Sequence, residues 1–187
     1  AVSIITLLLA LTGKVMIKDK LTREAAAGFA KRSDHMGVGL VGRTLGALGI
    51  GNIGAELFRL MKPFDMKFIA HDPYADKAVA TELGIELVSI EDLFRRSDVL
   101  SVSCPLTPET RHIVNAERLA LMKPTAYLIN TARGPMVNYD DLYQALSSRH
   151  LRGAMLETFW QEPTPPDAPL LRLDNVTLTL HIAGAST

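Results

Sequence analysis

The sequence predicts an α/β fold: a doubly wound parallel sheet with helices on both faces. Three observations predict it. Short apolar runs alternate with stretches whose apolar residues recur at helical spacing, and no hairpin signal joins the runs. That alternation gives parallel strands with helices as crossovers. The first run, Thr44 to Leu48, leads into Gly49-Ile50-Gly51-Asn52-Ile53-Gly54 and then a helical stretch, Ala55 to Met61. Strand, glycine turn and helix are the context in which a G-x-G-x-x-G pattern signifies a dinucleotide site. The second run, Lys67 to His71, ends in Asp72, 18 positions after Gly54. An acid about 20 residues on is placed to meet ribose hydroxyls. The bland alternative for Asp72 is an ordinary strand-end acid before a proline turn.

Each element of the glycine turn has its own reason. Gly49 allows the tight turn, Gly51 leaves room for a pyrophosphate, and Gly54 lets the helix pack close to the strand. The free N–H groups at the helix start, on Asn52, Ile53 and Gly54, and the helix dipole favour the phosphate charge.

Upstream, Ala1 to about Val15 reads as a long helix weakened at Gly13. It is apolar nearly all round and so should be buried, against this chain or a second copy. Its apolar part is shorter than the roughly 20 residues a bilayer-spanning helix needs, and no basic segment precedes it as in a secretory signal. Lys14 to Arg43 is charged and irregular, with a short helix near Arg23 to Ala30. Residues 1–42 are thus expected to stand apart as an opening helix and irregular segment, and 43–187 to form the nucleotide-binding domain; the linking and dimerisation role of 1–42 is what the resemblance given below implies.

After Asp72, Pro73 breaks the strand. Ala75 to Leu83 reads as a helix, Ile85 to Val88 as a strand, and Ile90 to Arg96 as a helix with Ser89 as its cap. Asp98 to Ser103 is a strand and Pro105 to Pro108 a turn. Asn115 caps a helix to Met122. Then come strand Ala126 to Asn130, helix Asn138 to Ser148 and strand Arg152 to Leu156. The proline-rich loop from Gln161 to Pro169 precedes a last strand, Val176 to Leu180. Ligands of such sheets bind at the carboxyl ends of the strands, so the informative residues are Asp72, Cys104, Thr131 to Gly134, Glu157 and His181.

Composition narrows the function. The 187 residues are 48% apolar, enough for a substantial core, and 20 Lys plus Arg balance 20 Asp plus Glu. That balance gives no electrostatic case for nucleic acid or an anionic membrane. The single cysteine, Cys104, excludes an internal disulfide and fits a reducing, cytoplasmic setting. It could be a nucleophile, but its strand-end context favours a small buried residue. The histidines show no metal-ligand spacing, so no metal is expected.

Three strand ends carry candidate chemistry. The guanidinium of Arg133 could fork onto a carboxylate, or simply lie on a surface turn. His181, after an apolar strand and before a glycine turn, is the type of residue that shuttles a proton near neutral pH. A carboxylate partner would stabilise its charged form; Glu162, in Phe159 to Pro163, is a further candidate acid. Each also has a plain reading: a histidine bonded to backbone, and a solvated loop acid.

At these residues the chain resembles the nucleotide-binding domain of the D-isomer-specific 2-hydroxyacid dehydrogenases. The resemblance rests on Gly46 to Gly54 with Asp72-Pro73-Tyr74, Cys104 to Thr110, Ile129 to Gly134, Leu156 to Pro163, and Asn175 through Gly184. It implies a Rossmann-type doubly wound parallel sheet and NAD as cofactor. It implies hydride transfer between NAD(H) and a 2-hydroxy or 2-oxo acid. It assigns Arg133 to the substrate carboxylate and His181 with Glu162 to the acid–base pair. Pro105 to Thr107 would line the adenine side and Thr131-Ala132 the nicotinamide side. Pro73, Cys104, Thr110, Glu157, His181 and Gly184 complete the expected cofactor contacts.

Three positions depart from the family's pattern: Glu157 where Asp is usual, Leu180 for a common Pro, and Asn138 for a common Asp. The resemblance also implies that the substrate domain is largely absent from this stretch. A chain of this kind would bind NAD but turn over poorly alone, and would form a homodimer through residues 1–43. The competing class is a non-catalytic NAD-sensing module like the dehydrogenase-fold corepressors; no dedicated partner-binding groove or tail marks this sequence as one. A methyltransferase would leave Arg133, Glu162 and His181 unexplained.

Overall fold

The computed structural model describes residues 1–182 and 184. The strands are β1 (Thr44–Leu48), β2 (Lys67–His71), β3 (Ile85–Leu87), β4 (Val99–Val102), β5 (Tyr127–Asn130), β6 (Gly153–Leu156) and β7 (Val176–Leu178). They form one sheet in the order β3-β2-β1-β4-β5-β6-β7, with every pair parallel. The order reverses between β1 and β4, and that crevice is where such sheets hold ligands.

The helices are α1 (Val2–Thr12), α2 (Val15–Arg23), α3 (Ala25–Ala30), α4 (Asn52–Met61), α5 (Lys77–Leu83), α6 (Ile90–Arg96), α7 (Ala116–Leu121) and α8 (Tyr139–Ser147). Successive strand residues point to opposite faces, and the core divides accordingly. Leu45, Ala47, Tyr127 and Ile129 meet α1, α4 and α5 on one face. Leu48, Leu100, Leu128 and Leu156 meet α6, α7 and α8 on the other. Four helices start as capping chemistry requires: the side chains of Asp76, Ser89, Asn115 and Asn138 accept backbone N–H bonds at α5 to α8.

The first forty residues differ from expectation. The opening helix stops at Thr12, with Gly13 as its cap, because Lys14 turns left-handed at φ 53°. A second helix, α2, follows where irregular chain was expected. It has no buried residue, and Met16 is 63% exposed; Asp19 and Arg23, one turn apart, pair at 2.9 Å. Nor is α1 enclosed all round: Ile4, Leu7, Leu8 and Leu11 are buried while Val2 is 68% exposed. The last strand ends at Leu178 rather than Leu180. Thr179 still donates its N–H to Leu156 O, but Leu180 swings out, 84% exposed. No helix among the described residues is long and apolar enough to cross a membrane.

Candidate active site

The sheet register sets one rim. His71, Leu48, Val102, Asn130, Leu156 and Leu178 align across β2, β1, β4, β5, β6 and β7. The residues one step beyond are Asp72, Gly49, Ser103, Thr131, Glu157 and Thr179. The strand-end residues singled out from sequence therefore share one edge of the molecule.

At the glycine turn, Gly49 has φ +91°, and a Cβ there would meet the Cys104 backbone at 3.0 Å. A Cβ on Gly54 would lie 2.3 Å from Gly49 O, so helix and turn approach as closely as glycine allows. Gly51 is different: nothing lies within 4 Å of its Cβ position. It caps α4 without a side chain, leaving the first N–H groups of that helix facing open space. Asp72 closes the turn from the side. Its Oδ2 accepts the Ile50 N–H and its Oδ1 the Tyr74 N–H, both at 2.9 Å. Each oxygen keeps a lone pair for a further donor. This cradle fits a dinucleotide: space for the pyrophosphate, uncapped donors beside it, and an anchored carboxylate.

A groove of about 570 Å³ continues from Ile53 across Cys104, Pro105 and Leu106 to Thr131, Ala132 and Arg133. Ile53 is 55% exposed, an apolar side chain left uncovered at the groove's edge. Thr110, expected along this groove, instead uses its hydroxyl to donate to Pro105 O at 2.7 Å and to accept the Thr107 N–H. It closes the turn rather than lining the groove. Pro73 is exposed beside Asp72. Gly184 is exposed beyond His181, and Ala183 of that motif lies outside the described residues.

Cys104 is half-buried under the groove. Burial pushes its thiol up to about 11, and the nearby Asp72 charge acts in the same direction. A thiol ordinarily titrates at about 8.5, so the folded chain holds this proton to higher pH than the unfolded chain does. The resulting stability is present below about pH 8.5 and lost as pH rises toward 11. Alkylation of Cys104 by iodoacetamide at pH 8 is therefore expected to be much slower in the folded chain than in urea, read by mass spectrometry. Equal rates would contradict the burial.

The loop after β5 is held by a residue that sequence reasoning passed over. Asn130 is fully buried. Its Oδ1 accepts the Ala132 N–H and its Nδ2 donates to Arg133 O, both at 3.1 Å. Gly134 then packs directly on the Phe159–Trp160 backbone. The loops after β5 and β6 are thereby brought together, and Trp160 stacks on Tyr139 with ring centroids 3.7 Å apart.

On the far side of that contact, His181 Nδ1 lies 2.8 Å from Glu162 Oε2. A carboxylate only accepts, so Nδ1 carries the hydrogen and Nε2 is the free nitrogen. Glu162 Oε1 accepts the Phe159 N–H at 2.9 Å. The His181 bond, then the Phe159 N–H, and more weakly the charge of Arg133 hold the Glu162 carboxyl below the usual range. Imidazole and carboxyl, drawn from two separate segments, thus meet, while the Arg133 guanidinium donates to Ala132 O at 2.7 Å and reaches Glu162 only through its charge. His181 adopts φ 57°, uncommon for a side-chain-bearing residue. Glu157, by contrast, is 2% exposed, and its Oε2 accepts the Thr179 hydroxyl.

The family model for the D-isomer specific 2-hydroxyacid dehydrogenase NAD binding domain matches residues 5–183. The chain belongs to this family. As an NAD-binding domain, its cofactor is NAD. It is 46% identical over 157 residues to a D-3-phosphoglycerate dehydrogenase of Methanocaldococcus jannaschii, covering 83% of this chain and 30% of that protein. It is 43% identical to a glyoxylate reductase of Korarchaeum cryptofilum, covering 96% of this chain and 54% of the reductase. The apo structure of Rhodotorula graminis D-mandelate dehydrogenase superposes with a TM-score of 0.89 at 33% identity, over 97% of this chain and 55% of that one. This NAD-binding domain therefore spans about half or less of the relatives it matches.

Proposed function

We propose that this NAD-binding domain serves an oxidoreductase that interconverts a 2-hydroxy and a 2-oxo acid. The observation that carries this reading is the 2.8 Å His181–Glu162 pair on the same sheet edge as the Ile53-to-Arg133 groove. NAD(H) supplies or accepts the hydride. Arg133 binds the substrate carboxylate through its fork of donors. His181 Nε2 gives a proton to the substrate oxygen in reduction and takes it in oxidation. Glu162 fixes the ring tautomer and orientation. Gly49 to Gly54 take the pyrophosphate, Asp72 the adenine-side ribose, Cys104 and Pro105 the adenine side, and Thr131-Ala132 the nicotinamide side. The relatives' names make glyoxylate and 3-phosphoglycerate the natural acids to try. The lone cysteine is consistent with work in a reducing compartment such as the cytoplasm.

NADH fluorescence titration tests the cofactor half. Saturable binding, stronger for NADH than for NADPH, is expected because the Asp72 charge repels a 2′-phosphate. Asp72→Asn is expected to narrow that preference. No binding, or equal affinity of the parent for both, would defeat the reading. Turnover by this chain alone is expected to be far below that of its relatives, because excluding water and positioning the acid take a closing cleft. Normal turnover would refute that. Homodimerisation through residues 1–43 is supported by the exposed apolar side chains Met16, Phe29 and Met36, at 63%, 67% and 71%. A monomer by light scattering at micromolar concentration would contradict it.

A further inference from the structure

Glu157 is out of the open rim. It is 2% exposed and lines neither the Ile53-to-Arg133 groove nor the cavity of about 440 Å³ beside His181. A buried carboxylate is costly unless donors satisfy it. One donor here is the hydroxyl of Thr179, its neighbour across β6 and β7, one step past the Leu156–Leu178 register pair. Thr179 also donates its N–H to Leu156 O at 3.1 Å. Backbone and side chain of Thr179 are thus tied to two consecutive residues of the β6 end. Glu157 is itself fixed by donating its N–H to Asn130 O at 3.0 Å.

Beyond Thr179 the chain leaves the sheet. Leu180 is exposed, and the His181 side chain is 42% exposed with its ring hydrogen-bonded to Glu162. The imidazole is therefore gripped at Nδ1 by Glu162 and rooted two residues upstream at Thr179.

We propose that Glu157 is a positioning residue for His181, fixing through the Thr179 hydroxyl the strand end from which the imidazole reaches Glu162. The proposal rests on the reading of His181 as the acid–base group. The usual expectation for an acid at this rim is contact with the cofactor; here the carboxylate is turned into the protein.

The test uses the ligand-free chain and compares Thr179→Val, Thr179→Ser and Glu157→Ala with the parent. Valine keeps the shape and is a good strand former but takes one donor from the buried Glu157 carboxylate, so Thr179→Val is expected to fold and to melt below the parent. Carbon-13 NMR of the Glu162 carboxyl reads the His181–Glu162 bond directly, since that bond is the largest influence lowering its titration. Thr179→Val and Glu157→Ala are expected to move the Glu162 midpoint upward and to lose the low-field His181 Nδ1 proton signal. Thr179→Ser, which keeps the hydroxyl, is expected to match the parent. An unchanged Glu162 midpoint in folded Thr179→Val would overturn the proposal, as would a serine variant that behaves like the valine one. NADH affinity, measured on the same proteins, decides the dehydrogenase reading separately. A parent that failed to bind NADH would sink that reading while the Glu162 titration still decided this one.

Discussion

Gly134→Ala is expected to destabilise the chain by about 3 kcal/mol and to pull Arg133 away from Glu162. A Cβ on Gly134 would sit 1.7 Å from Phe159 O, 2.0 Å from Phe159 C and 2.7 Å from Trp160 N. All three are backbone atoms, so no rotamer change relieves the clash. Neither side yields easily. Asn130 grips the Arg133 carbonyl, and the other segment is held by the Phe159–Glu162 bond and the Trp160–Tyr139 stack. The two loops must therefore separate. For a domain of this size the melting temperature is expected to fall by roughly 6–12 °C. The Glu162 titration is expected to rise slightly as the Arg133 charge withdraws. Calorimetry and carboxyl NMR check the two parts, and an unchanged melt would show that the loops do not meet as described.

Gly51→Ala is expected to have the opposite profile: no loss of stability and a fall in NADH affinity of roughly tenfold to a hundredfold, about 1.4–2.8 kcal/mol. The backbone at Gly51, φ −62° and ψ −164°, is open to any residue, and the methyl meets nothing within 4 Å. A compatible Gly→Ala change even stabilises slightly, by limiting the unfolded chain. The added methyl would occupy the space over the α4 start that a pyrophosphate needs. Urea denaturation and NADH titration on one preparation measure both halves. Parent-like affinity would mean that the phosphates lie elsewhere.

The sheet was legible in the sequence because each strand is a short apolar run stopped by glycine, proline or a polar residue. Parallel order followed from the absence of hairpin turns. The glycine turn and Asp72 were legible because their chemistry is local: one turn, one helix start, one acid at a fixed spacing. Helix α2 was not, because its few apolar residues are interleaved with charged ones in a stretch that reads as irregular, and none of them is buried. The meeting of Glu162 with His181 was visible only through family resemblance, since a proline-rich loop of no fixed shape separates them. The roles of Asn130 and Gly134 depend on what lies opposite them in space, which spacing along the chain does not encode. Thr110 shows the same limit: that its hydroxyl closes its own turn is not encoded in its spacing.

The rim is split at the point where strand order reverses. Glycine turn and ribose-side acid hang from β1 and β2, whereas guanidinium, imidazole and carboxyl hang from the loops following β5, β6 and β7. On the function proposed above, the phosphates and adenine-side ribose are held by one wing of the platform and the reacting end by the other. A lineage could retool the second wing for a new acid while the first keeps its hold on the same redox currency.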